Sequence, residues 1–193
     1  MEFIDAFGPA IAKVKLPRKL LKELNVACEE GGEDYGKNLM GTIEHPTAIP
    51  LPLLSKYHKF FADLAEEYHD RAYPEEPHAL RISSGWFLRM RRADEFNPAH
   101  CHEDCNLSSV GYLKLPDNFD EICAENKYRG RLQFILGATM EYANPTITIT
   151  PKVGDYYIFP WWLIHTVYPV REPLVGERRS FSISFKRKGM RPS

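Results

Sequence analysis

Punctuation constrains this chain more than its composition does. From residue 80 onward, seven short runs, 80–90, 107–115, 131–136, 146–150, 156–159, 163–168 and 180–185, alternate apolar with polar residues or concentrate β-branched and aromatic types, and Pro or Gly separates most of them. Runs of that length and alternation read as strands. No helical alternation lies between them to carry parallel crossovers, so the strands must pair antiparallel, as a sandwich or a barrel. Residues 117–128 are the exception, a polar excursion with room for a helical turn.

Helical signals come earlier. Leu20, Leu21, Leu24 and Ala27 follow Pro17 at the spacing of an amphipathic stripe that stops at Gly31-Gly32. A second stripe, Tyr57, Phe60, Phe61, Leu64, Ala65 and Tyr68, predicts a helix from Ser55, its N-cap, to Tyr73, with Pro74 as the stop. Residues 41–52, with His45-Pro46, Pro50 and Pro52, read as a loop. The expected architecture is therefore mainly β with N-terminal helices.

At 193 residues, 44% hydrophobic, the chain has the size of one domain, and a chain of that length buries roughly 70% of its unfolded surface without disulfide or metal staples. We expect a single domain over 1–193, with helical support in 1–79 and a β-barrel in 80–188. The formal net charge of −1 gives no field to hold a phosphate backbone, although Arg178, Arg179, Lys186, Arg187, Lys188 and Arg191 make the C-terminal stretch basic. Nucleic acid is not an expected partner. No apolar run reaches the ~18 residues of a membrane helix, and Met1–Asp5 lacks the basic start and apolar stretch of a signal peptide. Those two absences predict a cytoplasmic protein with no membrane partner. Cys28, Cys101, Cys105 and Cys123 then read as reduced thiols.

The densest group of ligand-type side chains is Asn97-Pro98-Ala99-His100-Cys101-His102-Glu103-Asp104-Cys105-Asn106. In extended backbone, residues i, i+2 and i+4 share a face, so His100, His102 and Asp104 can point into one cavity. Imidazoles plus a carboxylate, with positions left open, suit non-haem iron(II). His165 can supply a further imidazole, because it lies in an apolar strand where an unpartnered ring is costly to bury. Taken alone, each histidine also fits a hydrogen-bonded core residue. On the last strand Arg178, Ser180, Ser182 and Ser184 share one face while Arg179, Phe181, Ile183 and Phe185 share the other. An inward arginine beside a hydroxyl makes a fork for a carboxylate; the plainer reading of either arginine is a solvated surface charge.

The order His100-x-His102-x-Asp104, a strand ending Val110-Gly111-Tyr112-Leu113-Lys114-Leu115-Pro116, the turn Pro151-Lys152-Val153-Gly154-Asp155 running on to Phe159-Pro160, then His165 and Arg178-x-Ser180, resembles the 2-oxoglutarate/iron(II)-dependent oxygenase superfamily. Within it the chain is most similar to small oxygenases of bacteria and their phages, some distantly similar to prolyl hydroxylases. The resemblance spans residues 86–185. It implies a double-stranded β-helix, a jelly-roll or cupin-like barrel, with Fe(II) between its sheets, 2-oxoglutarate as co-substrate and O2 as oxidant. The implied reaction hydroxylates a C–H bond of a small-molecule or peptide substrate and releases succinate and CO2.

Carried over position by position, His102 and Asp104 match the proximal His-x-Asp, His165 the distal histidine, and Arg178 with Ser180 the clamp on the far carboxylate of 2-oxoglutarate. Tyr112 matches a tyrosine that helps hold that carboxylate. The small oxygenases carry His-x-His instead, matching His100 and His102, so the third ligand is His100 or Asp104. Trp86, Phe87, Trp161 and Trp162 would line the cavity unless they are plain core. Three alternatives compete: a cupin-like metal-binding protein or isomerase, which has no need of Arg178-x-Ser180; a structural zinc site using Cys101, His102 and Cys105 beside His100; and a metal-free structural protein of a phage or its host. The loops 31–52 and 117–128 would select the substrate, and neither carries a motif that names it.

Overall fold

The computed structural model describes residues 1–5, 8–39, 41–74, 79–138, 141, 144–171 and 173–188. Arg191 of the basic C-terminal stretch lies outside them. Helix α1 (Arg18–Glu30) starts directly after Pro17 and buries Leu20, Leu24, Ala27 and Cys28, a stripe at helical spacing. It ends at Gly31, whose φ of 78° is open to glycine at little cost.

Helix α2 (Leu51–Ala72) begins earlier than the apolar stripe predicts. Pro50 stands at its N-cap position and Pro52 in its first turn, where a missing N–H removes no helical bond. Ser55 therefore lies inside the helix and caps nothing. The loop expected over 41–52 is correspondingly shorter, and it also contains a two-residue strand, β3 (Thr47–Ala48).

The remaining strands are β1 (Glu2–Asp5), β2 (Ala10–Lys15), β4 (Leu80–Met90), β5 (Asn97–His100), β6 (Leu107–Lys114), β7 (Leu132–Ile135), β8 (Thr146–Ile149), β9 (Asp155–Pro160), β10 (Ile164–Val167) and β11 (Arg178–Arg187). Helix α3 (Phe119–Glu125) is the helical turn expected within 117–128. All strand pairs are antiparallel, in a seven-stranded sheet ordered β1-β2-β9-β6-β11-β4-β3 and a four-stranded sheet ordered β5-β10-β7-β8. Among the described residues no strand pairing joins the two sheets, so the expected jelly roll takes the sandwich form, without a closed barrel.

Two cores hold the layers together. The helices cover the outer face of the large sheet, where Leu20, Leu24, Phe61, Ala65 and Tyr68 meet Tyr156, Phe181, Ile183 and Phe185. Each buried Leu, Ile or Phe among them contributes roughly 1.5–3 kcal/mol. Between the sheets, Tyr112, Phe134, Tyr157, Phe159 and Leu163 form the second core. Gly111 on β6 is a requirement of the first: a Cβ there would fall 2.1 Å from the Phe181 ring, which stacks on Tyr156 at 5.6 Å.

Candidate metal centre

Strands β5 and β10 run antiparallel with His100 opposite His165. The chain leaves β5 immediately afterwards, and His102 is set by its backbone N–H donating to the Trp161 carbonyl at 3.0 Å. The ligand nitrogens of His100, His102 and His165 lie within 4.8 Å of one another.

Hydrogen bonding fixes which nitrogens face inward. His100 Nδ1 lies 2.7 Å from the Pro98 carbonyl and His165 Nδ1 2.9 Å from the Leu163 carbonyl. A carbonyl oxygen only accepts, so both Nδ1 atoms carry the proton and both Nε2 atoms present lone pairs. That is the orienting contact a metal-binding imidazole needs. His102 Nε2 approaches His165 Nε2 to 3.2 Å. Burial holds all three rings neutral: it lowers His100, and burial together with the neighbouring His100 takes His102 to about 4 and His165 well below the usual imidazole range. Neutral imidazoles this close suit a divalent cation, to which His102 would turn a lone pair by moving to Nδ1 the proton that its Nε2 donates to His165.

The expected alternation over residues 100, 102 and 104 ends with β5. Asp104 takes a φ of 61° in the turn that follows and stands exposed at the cavity mouth with Glu103. The structure thus gathers His100, His102 and His165 and leaves Asp104 outside their cluster. Cys101 and Cys105 also stay outside it, so a closed zinc set does not assemble among the described residues. All four cysteines are unpaired thiols.

The same inter-sheet cavity is bordered by Arg178, Ser180 and Ser182 of β11. Arg178 is only 1% exposed, and its Nη1 reaches the Ser180 Oγ at 3.4 Å and the Met90 Sδ at 3.6 Å. Among the described residues its Nε and Nη2 meet no partner at hydrogen-bond distance and angle, nor does the buried Tyr112 hydroxyl. Tyr112 does not border the cavity; its ring lies 5.1 Å from the Arg178 Cζ, and the adjacent hydroxyl partly offsets the burial that weakens the cation. A desolvated guanidinium with donors unused and no carboxylate beside it costs several kcal/mol by analogy with buried ions. An anion entering the cavity would recover that energy.

Arg179, one residue on, points the other way and is 2% exposed, so neither arginine is the surface charge that composition alone would suggest. It donates to Asn25 Oδ1 at 2.9 Å, to Glu29 at 2.5 Å and to Glu177. Glu177 also accepts from Arg89 Nε at 2.8 Å and Arg91 Nε at 3.2 Å. Burial would raise its pKa, but the hydrogen bonds from Arg89 and Arg179 outweigh that and hold it at about 2. This network fastens α1 to β11 on the face opposite Arg178.

Of the aromatic residues expected at the cavity, Trp86 borders it, whereas Phe87 belongs to the core under the helices and Trp161 and Trp162 are 37% and 38% exposed. Tyr35 and Leu39 were not anticipated: the segment after α1 folds over the mouth, stacks Tyr35 on Trp86 at 5.1 Å and sets Leu39 against the cavity. The buried Glu95 pins that segment by accepting from the backbone N–H of Glu44 at 2.9 Å as well as those of Arg91 and Arg92. The sequence marks 31–52 as a substrate-selecting loop but gives no signal that Tyr35 and Leu39 are the residues that reach the cavity.

A jelly roll whose inter-sheet cavity joins three inward imidazoles to an uncompensated guanidinium has the build of a non-haem metal enzyme with an anionic co-substrate. Residues 84–185 match the family model described as "Putative 2OG-Fe(II) oxygenase", and the chain belongs to that family. It is accordingly an oxidoreductase of the 2-oxoglutarate/iron(II) type, using Fe(II), 2-oxoglutarate and O2. Its fold is similar to a Pseudomonas putida prolyl-4-hydroxylase (TM-score 0.60, 17% identity, covering 93% of each chain). It is similar as well to SnoK, an alpha-ketoglutarate-dependent carbocyclase from nogalamycin biosynthesis (TM-score 0.64, 14% identity, 92% of this chain and 79% of that one). A third is a Trichoplax adhaerens prolyl hydroxylase crystallised with a hypoxia inducible factor peptide (TM-score 0.60, 10% identity, 91% and 83%). No curated protein sequence matches the chain. Among the described residues no helix is long and apolar enough to cross a membrane.

Proposed function

We propose that this oxygenase hydroxylates a C–H bond of a small-molecule or peptide substrate, with His100, His102 and His165 as the iron ligands and Arg178 with Ser180 as the clamp on 2-oxoglutarate. One observation carries the reading: the imidazole trio and the unpaired guanidinium open on the same inter-sheet cavity. A cupin-type protein without 2-oxoglutarate has no use for a buried cation there.

The chain's own contribution is positional. The Pro98 and Leu163 carbonyls hold the His100 and His165 lone pairs inward, so the ligand set is preorganised and needs no proton loss to bind a cation. Arg178 takes the far carboxylate through its free Nε and Nη2, a fork that a carboxylate matches in two parallel hydrogen bonds, while Ser180 adds a hydroxyl. Trp86, Leu39 and Phe159 border the cavity and exclude water from it. Iron(II), when bound, couples the oxidative decarboxylation of 2-oxoglutarate to oxygen insertion into the substrate, with succinate and CO2 released. Asp104 serves the mouth and not the metal. The test is anaerobic titration with iron(II) and then 2-oxoglutarate, followed through the weak visible charge-transfer band of the chelate; absence of that band with iron bound would exclude the reading.

A further inference from the structure

Beyond the histidines the cavity widens to about 640 Å3, and one strand irregularity shapes its outer end. β11 pairs Ser184 with Ser84 but Phe185 with Ile82, which leaves Ser83 as an extra residue on β4. Such a bulge interrupts the alternation and re-aims side chains. The consequence here is that Ser83 and Ser84 both border the cavity, while Ile82 and Gly85 turn toward the helices.

Ser184 and Lys186, on the cavity face of β11, complete the group. Lys186 is half-buried, and among the described residues no ion pair or hydrogen bond engages its Nζ. A lysine and three hydroxyls converging on one end of a cavity can all donate, and what they recognise is an anion. The opposing charges limit which anion. Glu103 and Asp104 face the same cavity from the loop after β5, exposed and unpaired with Lys186. Glu103 and Asp104 repel a dianion more strongly than a monoanion, and their exposure screens the repulsion, so a singly charged carboxylate is favoured over a phosphate.

We propose that Lys186, with Ser83, Ser84 and Ser184, forms the substrate-recognition end of the cavity and takes a carboxylate group of the substrate. The inference rests on the oxygenase reading and deepens it: 2-oxoglutarate fills the Arg178 end, the substrate carboxylate docks at the Lys186 end, and the reacting carbon lies between them beside the histidines. Recognition of the substrate by its charge then comes from the bulged strand, while the metal and co-substrate are held elsewhere.

The experiment is calorimetric, on protein loaded anaerobically with iron(II) and saturating 2-oxoglutarate so that Arg178 is occupied. Butyrate, butylamine and inorganic phosphate are the probes. Butyrate binds more tightly than either of the others, Lys186→Ala weakens it about tenfold or more, and Lys186→Arg retains it within about threefold. Butylamine or phosphate binding more tightly than butyrate, or butyrate binding unchanged by Lys186→Ala, overturns the proposal. If iron and 2-oxoglutarate fail to load, the oxygenase reading fails by itself. The carboxylate site is still tested in that case, by butyrate binding to unloaded Arg178→Met protein with and without Lys186→Ala.

Discussion

Replacing Arg178 by methionine should stabilise the ligand-free protein while abolishing its response to 2-oxoglutarate. In the unliganded fold the guanidinium is 1% exposed, two of its nitrogens are unbonded, and its surroundings include Met90 and the Tyr112 ring. Exchanging buried ions for apolar groups of similar volume has stabilised proteins by about 1–4 kcal/mol. At about 2–4 °C per kcal/mol for a chain of this size, the melting temperature of the metal-free variant should rise by about 2–16 °C. With iron bound, 2-oxoglutarate at a hundred times its Kd adds about 2.7 kcal/mol to the wild type. The variant should lose that increment, because leaving the carboxylate unpartnered costs about 2–5 kcal/mol, or about 30-fold to several thousand-fold in affinity. The assay is anaerobic thermal unfolding of both proteins with and without 2-oxoglutarate, with iron content as the control. A variant that melts lower without ligand would show that the guanidinium is compensated in the free fold. A variant that keeps the 2-oxoglutarate shift would place the clamp elsewhere.

Separate substitutions His100→Ala and Asp104→Ala should diverge, the first losing iron and the second retaining it, as read by metal content after gel filtration. Gly111→Ala forces a methyl into the Phe181 ring, which sits 2.1 Å from the new Cβ, and should cost about 1–3 kcal/mol in urea unfolding. Glu177, held at about 2 in the fold against an ordinary value of 4.5, contributes stability that is present above about pH 5 and lost as pH falls toward 2. Glu177→Gln should therefore remove about 2–3 kcal/mol at pH 7 and flatten the wild-type decline between pH 5 and 2, measured by denaturant midpoints across that range. An equal deficit at every pH would mean that the loss is packing and not charge.

The fold class was legible in the sequence, as were the residue types gathered at the cavity, while several element boundaries were not. Alternation along 178–185 fixes which arginine faces the cavity, because a strand with one face on a core and the other on a cleft keeps strict period two. The histidines were visible as residue types, but the choice between His100 and Asp104 turns on where β5 ends, and no composition signal marks that point. Strand β2 was missed because Ile11 and Ala12 are both fully buried, which erases the alternation that reveals a half-exposed strand. The start of α2 was placed late because Pro50 and Pro52 read as loop residues, although the first helical turn tolerates both. The extra residue at Ser83 and the strap carrying Tyr35 and Leu39 are set by pairing partners and contacts far away in the chain, which local patterns cannot register.

The adjacency of Arg178 and Arg179 has a consequence for how β11 can be assembled. Two like-charged neighbours demand opposite surroundings, a ligand cavity on one side and the carboxylates of Glu29 and Glu177 on the other. Sliding the strand by a single position would thrust Arg179 and Phe181 into the cleft and press Arg178 and three serines against the greasy underside of the helices. Both mistakes carry their own penalty, so the strand proofreads its own alignment. An insertion or deletion within 178–185 should consequently be selected against twice over, once for chemistry and once for folding.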